Sequence, residues 1–204
     1  MKGAVFINPY NIGILLFNEV EVLDFAGPFE VFSLAEHPAT QEKAFKVRTI
    51  SQDGQIIHAR NGLQVLAEYS FNNHPNLDYL IIPGGYGAEA IEIHNKAVID
   101  WLTSQSKEVK MIASVCTGAF LLAEAGILEN KKATTHWMDI ERLEADYPEI
   151  AVQRNQKYVD EGKVITSGGI SAGIHMSLYL VSKIISKHVA IDTAKRMEYD
   201  FELQ

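Results

Sequence analysis

The single cysteine of this 204-residue chain, Cys116, is the side chain best suited to nucleophilic catalysis. It follows an apolar run at 111–115 and precedes a predicted helix at 117–125, so the thiol is expected on a tight strand-to-helix turn. Free N–H groups at the start of a helix favour a thiolate and lower the pKa of a thiol. The alternative is a small buried core residue, the usual role of a free cysteine. The strand–Cys–Thr–Gly–helix context favours the nucleophile.

Backbone N–H groups that can stabilise a developing anion are expected beside this thiol. Pro83-Gly84-Gly85 ends another apolar run, and glycines free their N–H groups to face an oxyanion. Thr117 adds an N–H and a hydroxyl next to the nucleophile, and Gly118 gives the helix room to leave the turn. The alternatives are that the glycines form only a turn and that Thr117 caps the helix. We predict that Thr117 is catalytic and that Gly84, Gly85 and Gly118 bind substrate or stabilise charge.

A carboxyl group, Asp24, is predicted at the same edge of the fold. It follows the first apolar run and lies between Leu23 and Phe25, surroundings in which a carboxyl resists ionisation. It can then exchange a proton with the Cys116 thiol or with a substrate. The alternative is an N-cap for the following helix. Glu30, six residues later, is a weaker candidate for this role and fits a charge on the helix face.

A histidine, His136, follows the cysteine by twenty residues within Thr134-Thr135-His136-Trp137. It is a candidate general base or substrate-binding group, and the alternative is a hydrogen-bonded structural histidine. The other histidines show no metal-ligand spacing, so we expect no metal. Gly168-Gly169 resembles a phosphate cradle, but the chain has neither GxGxxG nor a P-loop, so we expect no nucleotide or other cofactor.

The elements that must position these residues alternate along the chain. Apolar or alternating runs predict strands, and amphipathic segments between them predict helices. This alternation predicts one α/β domain over 1–204, with a mostly parallel sheet and helices on both faces. The predicted strands are 12–17, 45–51, a hairpin of 56–59 and 63–67, 77–82, 111–115 and 164–167; the predicted helices are 24–35, 96–107, 117–125, 171–185 and 190–199. Pro28 is expected only in the first turn of its helix.

Composition restricts the partners. The formal net charge of -8 repels phosphate backbones and anionic membranes, so we expect neither nucleic acid nor membrane as a partner. No apolar run is long enough to span a bilayer, and Met1–Tyr10, a possible short extension, lacks the pattern of a signal peptide. A lone thiol suits a reducing compartment, so we expect a cytoplasmic location.

With these residues assembled, the chain resembles the ThiJ/PfpI superfamily, which is related to class I glutamine amidotransferase domains. The resemblance runs from about residue 11 to residue 200, and within the superfamily the chain most resembles the isonitrile (isocyanide) hydratases. The segments that carry it are Gly13-Ile14-Leu15-Leu16-Phe17, Leu23-Asp24-Phe25-Ala26-Gly27-Pro28, Ile82-Pro83-Gly84-Gly85, Ser114-Val115-Cys116-Thr117-Gly118, Ala133-Thr134-Thr135-His136-Trp137 and Gly168-Gly169-Ile170-Ser171-Ala172-Gly173.

The resemblance implies a flavodoxin-like three-layer sandwich and a homodimer, with Cys116 as nucleophile and with Asp24 and Thr117 at positions that matter for activity. It implies a small-molecule substrate, an isocyanide that is hydrated to an N-substituted formamide. Proteases and deglycases of the wider group use a glutamate near the cysteine, and Asp24 in its place argues against those activities. Regulators of the AraC type carry a similar amino-terminal domain. A ligand-sensing protein and a thiol-oxidation stress protein of the same fold are therefore the alternatives.

Overall fold

The structure, a computed structural model, describes residues 8–202 and is built around parallel strands. The strands are β1 (Tyr10–Leu15), β2 (Phe45–Ser51), β3 (Ile56–His58), β4 (Gln64–Leu66), β5 (Tyr69–Ser70), β6 (Tyr79–Ile82), β7 (Met111–Val115), β8 (Lys132–Ala133), β9 (Ala151–Val152), β10 (Tyr158–Asp160) and β11 (Val164–Ser167). The α-helices are α1 (Val22–Leu34), α2 (Lys96–Glu108), α3 (Gly118–Glu124), α4 (Ile140–Asp146), α5 (Ser171–Ile184) and α6 (Lys187–Arg196).

A seven-stranded sheet, in the order β10-β11-β7-β6-β1-β2-β5, forms the central layer. All neighbouring pairs in it are parallel except β10 and β11. The inner strands β6, β7 and β11 are buried along their whole length because helices cover both faces. The predicted flavodoxin-like α/β sandwich is confirmed, and the carboxyl ends of β1, β6, β7 and β11 lie along one edge.

The helices form two outer layers. Helices α1, α5 and α6 contact one another on one face, and α2 and α3 contact each other on the opposite face. Fully buried aromatic side chains anchor both layers, Phe32 from α1 and Phe120 from α3. Burying such a side chain contributes roughly 1.5–3 kcal/mol, so these contacts help to hold both helices against the sheet.

The hairpin predicted around Asn61-Gly62 is present. Strands β3 and β4 pair antiparallel outside the main sheet, and both turn residues adopt a left-handed backbone, with φ of 61° and 88°. The short strands β5, β8, β9 and β10 and helix α4 were not predicted. Segments of two or three residues are too short to show a hydrophobic period.

The expectation for Pro28 is wrong. Helix α1 begins at Val22, two residues before the predicted start, so Pro28 lies inside the helix and not in its first turn. Because proline has no N–H, it cannot donate to the carbonyl of Asp24. The interior of α1 therefore lacks one backbone hydrogen bond, the one that the Asp24 carbonyl would accept.

No helix among residues 8–202 is long and apolar enough to cross a membrane. Residues 1–7, most of the possible extension at Met1–Tyr10, lie outside the described residues, and Tyr10 is the first residue of β1.

We predict that Gly118→Ala lowers the free energy of unfolding by roughly 1–3 kcal/mol, measured by urea denaturation. A Cβ at Gly118 would lie 2.2 Å from the Ile82 carbonyl oxygen and 2.8 Å from that of Pro83, so α3 would have to move away from β6. The control is Gly168→Ala, whose Cβ would lie 3.3 Å from the Cβ of Ala172. Equal stability of the two variants would contradict this packing account.

Candidate active site

Cys116 lies on the predicted turn between β7 and α3, in a strained conformation. Its φ is 57°, a left-handed value that non-glycine residues rarely adopt. Its N–H is shared between the carbonyls of Ser167 and Gly168, at 3.2 Å each, and its carbonyl accepts a hydrogen bond of 2.9 Å from the Thr135 hydroxyl. These contacts compensate the strain and fix the direction of the side chain. The thiol residue is 7% exposed, so it is nearly but not fully enclosed.

Asp24 meets the thiol from the other side of the turn. It lies in the first turn of α1 and is 0% exposed. One carboxylate oxygen accepts a hydrogen bond of 2.9 Å from the Ile170 N–H, and the other accepts one of 3.2 Å from the Gly84 N–H. The N-cap alternative is wrong, because the cap position is Glu21 and its side chain makes no capping bond. The carboxyl is held by the loops after β6 and β11, facing Cys116.

Burial is the largest cause of the raised pKa values of Asp24 and Cys116. It raises the pKa of Asp24 to about 6, against hydrogen bonds from Ile170, Cys116 and Gly84, which lower it. Burial and then the negative charge of Asp24 raise the pKa of the Cys116 thiol. The expectation of a lowered thiol pKa is therefore wrong, because desolvation outweighs the hydrogen bond from the Thr117 N–H. At neutral pH the pair holds one proton, on the sulfur, with an ionised carboxylate beside it.

The glycine turn lies against the thiol, but its N–H groups have partners. The Gly84 N–H donates to Asp24, and the Gly85 N–H donates to the Thr117 hydroxyl at 2.9 Å. The expectation that these two groups face an oxyanion is therefore wrong. The turn instead needs glycine for close approach, since a Cβ at Gly84 would lie 2.5 Å from the Thr117 nitrogen and 2.9 Å from the Cβ of Cys116.

The backbone of Thr117 and Gly118 carries the remaining N–H groups near the sulfur. The Thr117 N–H hydrogen-bonds to the Cys116 sulfur, and the Gly118 N–H has no acceptor within residues 8–202. The Thr117 hydroxyl bonds to Gly85 and makes no capping bond to α3, so the capping alternative is also wrong. Thr117 joins the nucleophile turn to the glycine turn, and the first N–H groups of α3 are available to a developing charge.

His136 is brought to the thiol across Gly169. A Cβ at Gly169 would lie 2.6 Å from His136 Cδ2 and 3.0 Å from the Cys116 sulfur, so the missing side chain leaves the imidazole edge facing the sulfur. On its other side, His136 Nδ1 lies 3.4 Å from an Asp139 carboxylate oxygen. The structure thus groups His136 with Cys116, whereas Glu30 is exposed on α1 and lies outside the site.

Sequence reasoning missed several residues that build the site. Ile170, with φ of 55°, directs its N–H at Asp24, and Thr135 holds the Cys116 carbonyl. The Gly168 N–H donates to the Lys157 carbonyl at 3.0 Å, so Gly168-Gly169 makes room for the thiol and not for a phosphate. The glycine pair was the available signal, whereas nothing local marks Ile170 or Asp139.

No group of three or more His, Cys, Asp or Glu side chains arranged to hold a metal ion occurs in the part of the chain that the structure describes.

Comparison with known proteins places this geometry in a family. The family model for the DJ-1/PfpI family matches residues 11–183. The chain belongs to the DJ-1/PfpI family. It is 34% identical over 192 residues to the isonitrile hydratase of Pseudomonas putida, covering 94% of this chain and 77% of that protein. It is also 25% identical to the HTH-type transcriptional regulator GbdR of Pseudomonas aeruginosa over 95% of this chain, but spans about half (52%) of that regulator.

Solved structures agree with the DJ-1/PfpI assignment. A ThiJ/PfpI family protein from Pseudomonas syringae superposes with a TM-score of 0.84 at 25% identity, covering 97% of this chain and 78% of that one. The predicted superfamily resemblance is confirmed.

We predict that Asp24 makes this DJ-1/PfpI chain less stable as pH rises. A buried carboxyl whose pKa is raised from 3.8 to about 6 stabilises the fold fully below its unfolded pKa, and this contribution is lost as pH rises through the folded pKa. Relative to Asp24→Asn, the free energy of unfolding of the wild type should fall by roughly 3 kcal/mol between about pH 4 and pH 7. Urea denaturation at several pH values measures it, and a constant or opposite difference would contradict the raised pKa.

Proposed function

We propose that this protein hydrates isocyanides to N-substituted formamides through Cys116. The observation that carries the proposal is the fully buried Asp24 carboxyl, held by two backbone N–H groups at the thiol of a strained strand-to-helix turn. A carboxylate with a pKa of about 6 accepts and returns a proton near neutral pH. The arrangement suits a reaction in which a thiol adds to an electrophilic carbon and that carbon then needs a proton.

The first step is addition of the thiol to the terminal carbon of R–NC. Asp24 takes the thiol proton as the sulfur–carbon bond forms, and then delivers the same proton to the attacked carbon. The product is a thioimidate, Cys116–S–CH=N–R, with Asp24 again ionised and no atom lost. A thiol whose pKa is raised by burial attacks only as its proton leaves, so the neighbouring base sets the rate of this step.

The second step is hydrolysis of the thioimidate. Water adds to the carbon, and its oxygen ends as the formyl oxygen when the carbon–sulfur bond breaks and the thiol is restored. Charge that develops near the sulfur meets the N–H groups of Thr117 and Gly118 at the start of α3. Overall, R–NC and H₂O give R–NH–CHO, with neither an oxidant nor a cofactor.

Exposed apolar side chains near the site suit an apolar R group. Leu23 adjoins Asp24, Trp137 and Met138 follow His136, and Ile170 donates its N–H to Asp24 while its own side chain is partly exposed. Isocyanides carry no ionised group, so apolar side chains beside the site favour their binding. We therefore expect alkyl and cycloalkyl isocyanides to be better substrates than charged ones.

The similarity to the isonitrile hydratase supports this reaction over other chemistry known for the fold, because that relative matches over most of both chains. Asp24, one methylene shorter than glutamate, occupies the acid position, which argues against proteolysis and deglycation.

A ligand-sensing function is the second candidate, because GbdR matches over nearly the whole chain. A sensor binds its metabolite reversibly, without consuming it, and tolerates loss of Cys116.

A thiol-oxidation function has less support. Oxidation needs an accessible thiolate, whereas the Cys116 thiol is buried and its pKa is raised. The homodimer remains a prediction, which sedimentation of the purified protein checks.

We predict that the purified protein converts cyclohexyl isocyanide to N-cyclohexylformamide, measured by gas chromatography. Removal of a catalytic nucleophile or proton carrier typically costs about 10²–10⁴-fold in rate, so Cys116→Ser and Asp24→Asn should lose at least that factor. Thr117→Val should lose less, because the backbone N–H groups remain.

The matched control is Glu30→Gln, which removes a carboxylate from the exposed face of the same helix and should keep the wild-type rate. Absence of formamide at high enzyme concentration would reject the hydratase. Reversible isocyanide binding that survives Cys116→Ser would favour the sensor instead.

A further inference from the structure

The imidazole of His136 has a different partner on each side. Its Nδ1 lies 3.4 Å from an Asp139 carboxylate oxygen, and the two side chains are 24% and 21% exposed. Its Cδ2 edge, next to Nε2, faces the Cys116 sulfur across Gly169. One ring nitrogen therefore lies beside an acid, while the opposite edge of the ring lies on the side of Cys116.

A second carboxyl, that of Glu89, lies near Asp139. Glu89, on a π-helical turn at Gly87–Ile91, lies close enough to Asp139 for the charge of Asp139 to raise its pKa. Burial, and then the charge of Asp139, raise the pKa of Glu89. Glu89 is itself fixed by Arg142, which donates to a Glu89 carboxylate oxygen at 3.0 Å and to its carbonyl at 2.8 Å. The contact with Arg142 fixes Glu89 on the side of Asp139 away from the imidazole.

Four charged or titratable side chains lie around the imidazole ring. Cys116 faces it from the strand-to-helix turn, Asp139 from the 3₁₀ turn that His136 begins, and Glu89 with Arg142 from behind Asp139. The negative charge of Asp139 also contributes to the raised pKa of Cys116, which places the acid within electrostatic reach of the thiol.

We propose that Asp139 is a positioning residue that accepts the Nδ1–H of His136 and leaves Nε2 as a bare base for the hydrolytic step. This inference rests on the proposed use of Cys116 as the nucleophile. His136 Nε2 takes a proton from water as the oxygen–carbon bond to the thioimidate forms, and returns it to the imine nitrogen. The carbon–sulfur bond then breaks, and the hydroxyl proton goes to the sulfur.

The two proton-transfer groups therefore act in separate steps of the reaction. Asp24 serves the addition of the thiol, and His136, oriented by Asp139, serves the addition of water. An acid that holds an imidazole in one tautomer can matter as much as the base itself. The Gly87–Ile91 turn then has a function, because it carries Glu89 to the back of Asp139.

The test replaces Asp139 with an isosteric amide. In Asp139→Asn the side-chain NH₂ donates to Nδ1, so the imidazole proton moves to Nε2 and the base is lost. We expect kcat for cyclohexyl isocyanide to fall about 10²-fold or more with KM unchanged. Nitrogen-15 NMR of the resting protein should show the proton on Nδ1 in the wild type and on Nε2 in the variant.

Two further variants serve as controls. Glu141→Gln removes a carboxylate that is 88% exposed on the adjacent helix α4, and should leave both the tautomer and kcat unchanged. Asp139→Glu keeps the carboxylate and should retain the Nδ1 proton and recover kcat to within about tenfold of wild type.

A His136 tautomer that is the same in the wild type and Asp139→Asn would overturn the proposal, as would an unchanged kcat. If the wild type makes no formamide, the hydratase proposal fails separately. The NMR comparison then still decides whether Asp139 positions His136, because it needs no substrate.

Discussion

The contact between a buried carboxyl and a buried thiol is the constraint that organises this structure. Asp24 and Cys116 come from different strand ends, and a parallel sheet brings those ends to one edge. Burial raises the pKa of both groups, so at neutral pH the thiol keeps its proton beside an ionised carboxylate. Two backbone N–H groups, from Gly84 and Ile170, keep the carboxyl in place.

The surrounding loops are shaped by that contact. Cys116 and Ile170 both adopt left-handed backbone conformations, which cost roughly 1–3 kcal/mol each unless neighbouring bonds fix them. The Thr135 hydroxyl and the carbonyls after β11 supply those bonds for Cys116. Gly84 and Gly169 have no side chain where a Cβ would touch Cys116. Strain and close approach therefore coincide at the residues assigned to chemistry.

The sequence predicted the main sheet well, because β6, β7 and β11 are continuous apolar runs buried on both sides. Cys116 was found because it directly follows β7, and Asp24 because it lies where the chain passes from the first apolar run into α1. Two predictions were wrong, that the glycine N–H groups are free and that the pKa of the thiol is lowered. Each depends on loop conformation and desolvation, which distant residues determine. The seven-residue helix α3 does not offset the burial of the thiol. The contact between His136 and Asp139 likewise depends on a 3₁₀ turn without a sequence signature.

A covalent bond between Cys116 and the substrate is detected most directly by intact-protein mass spectrometry of enzyme quenched with acid during turnover. Addition has no leaving group, so the protein should gain the mass of one whole isocyanide molecule. Fragmentation should locate that mass on Cys116, and the gain should disappear in Cys116→Ser. Formamide production at the wild-type rate by Cys116→Ser, or an adduct on another residue, would contradict the account.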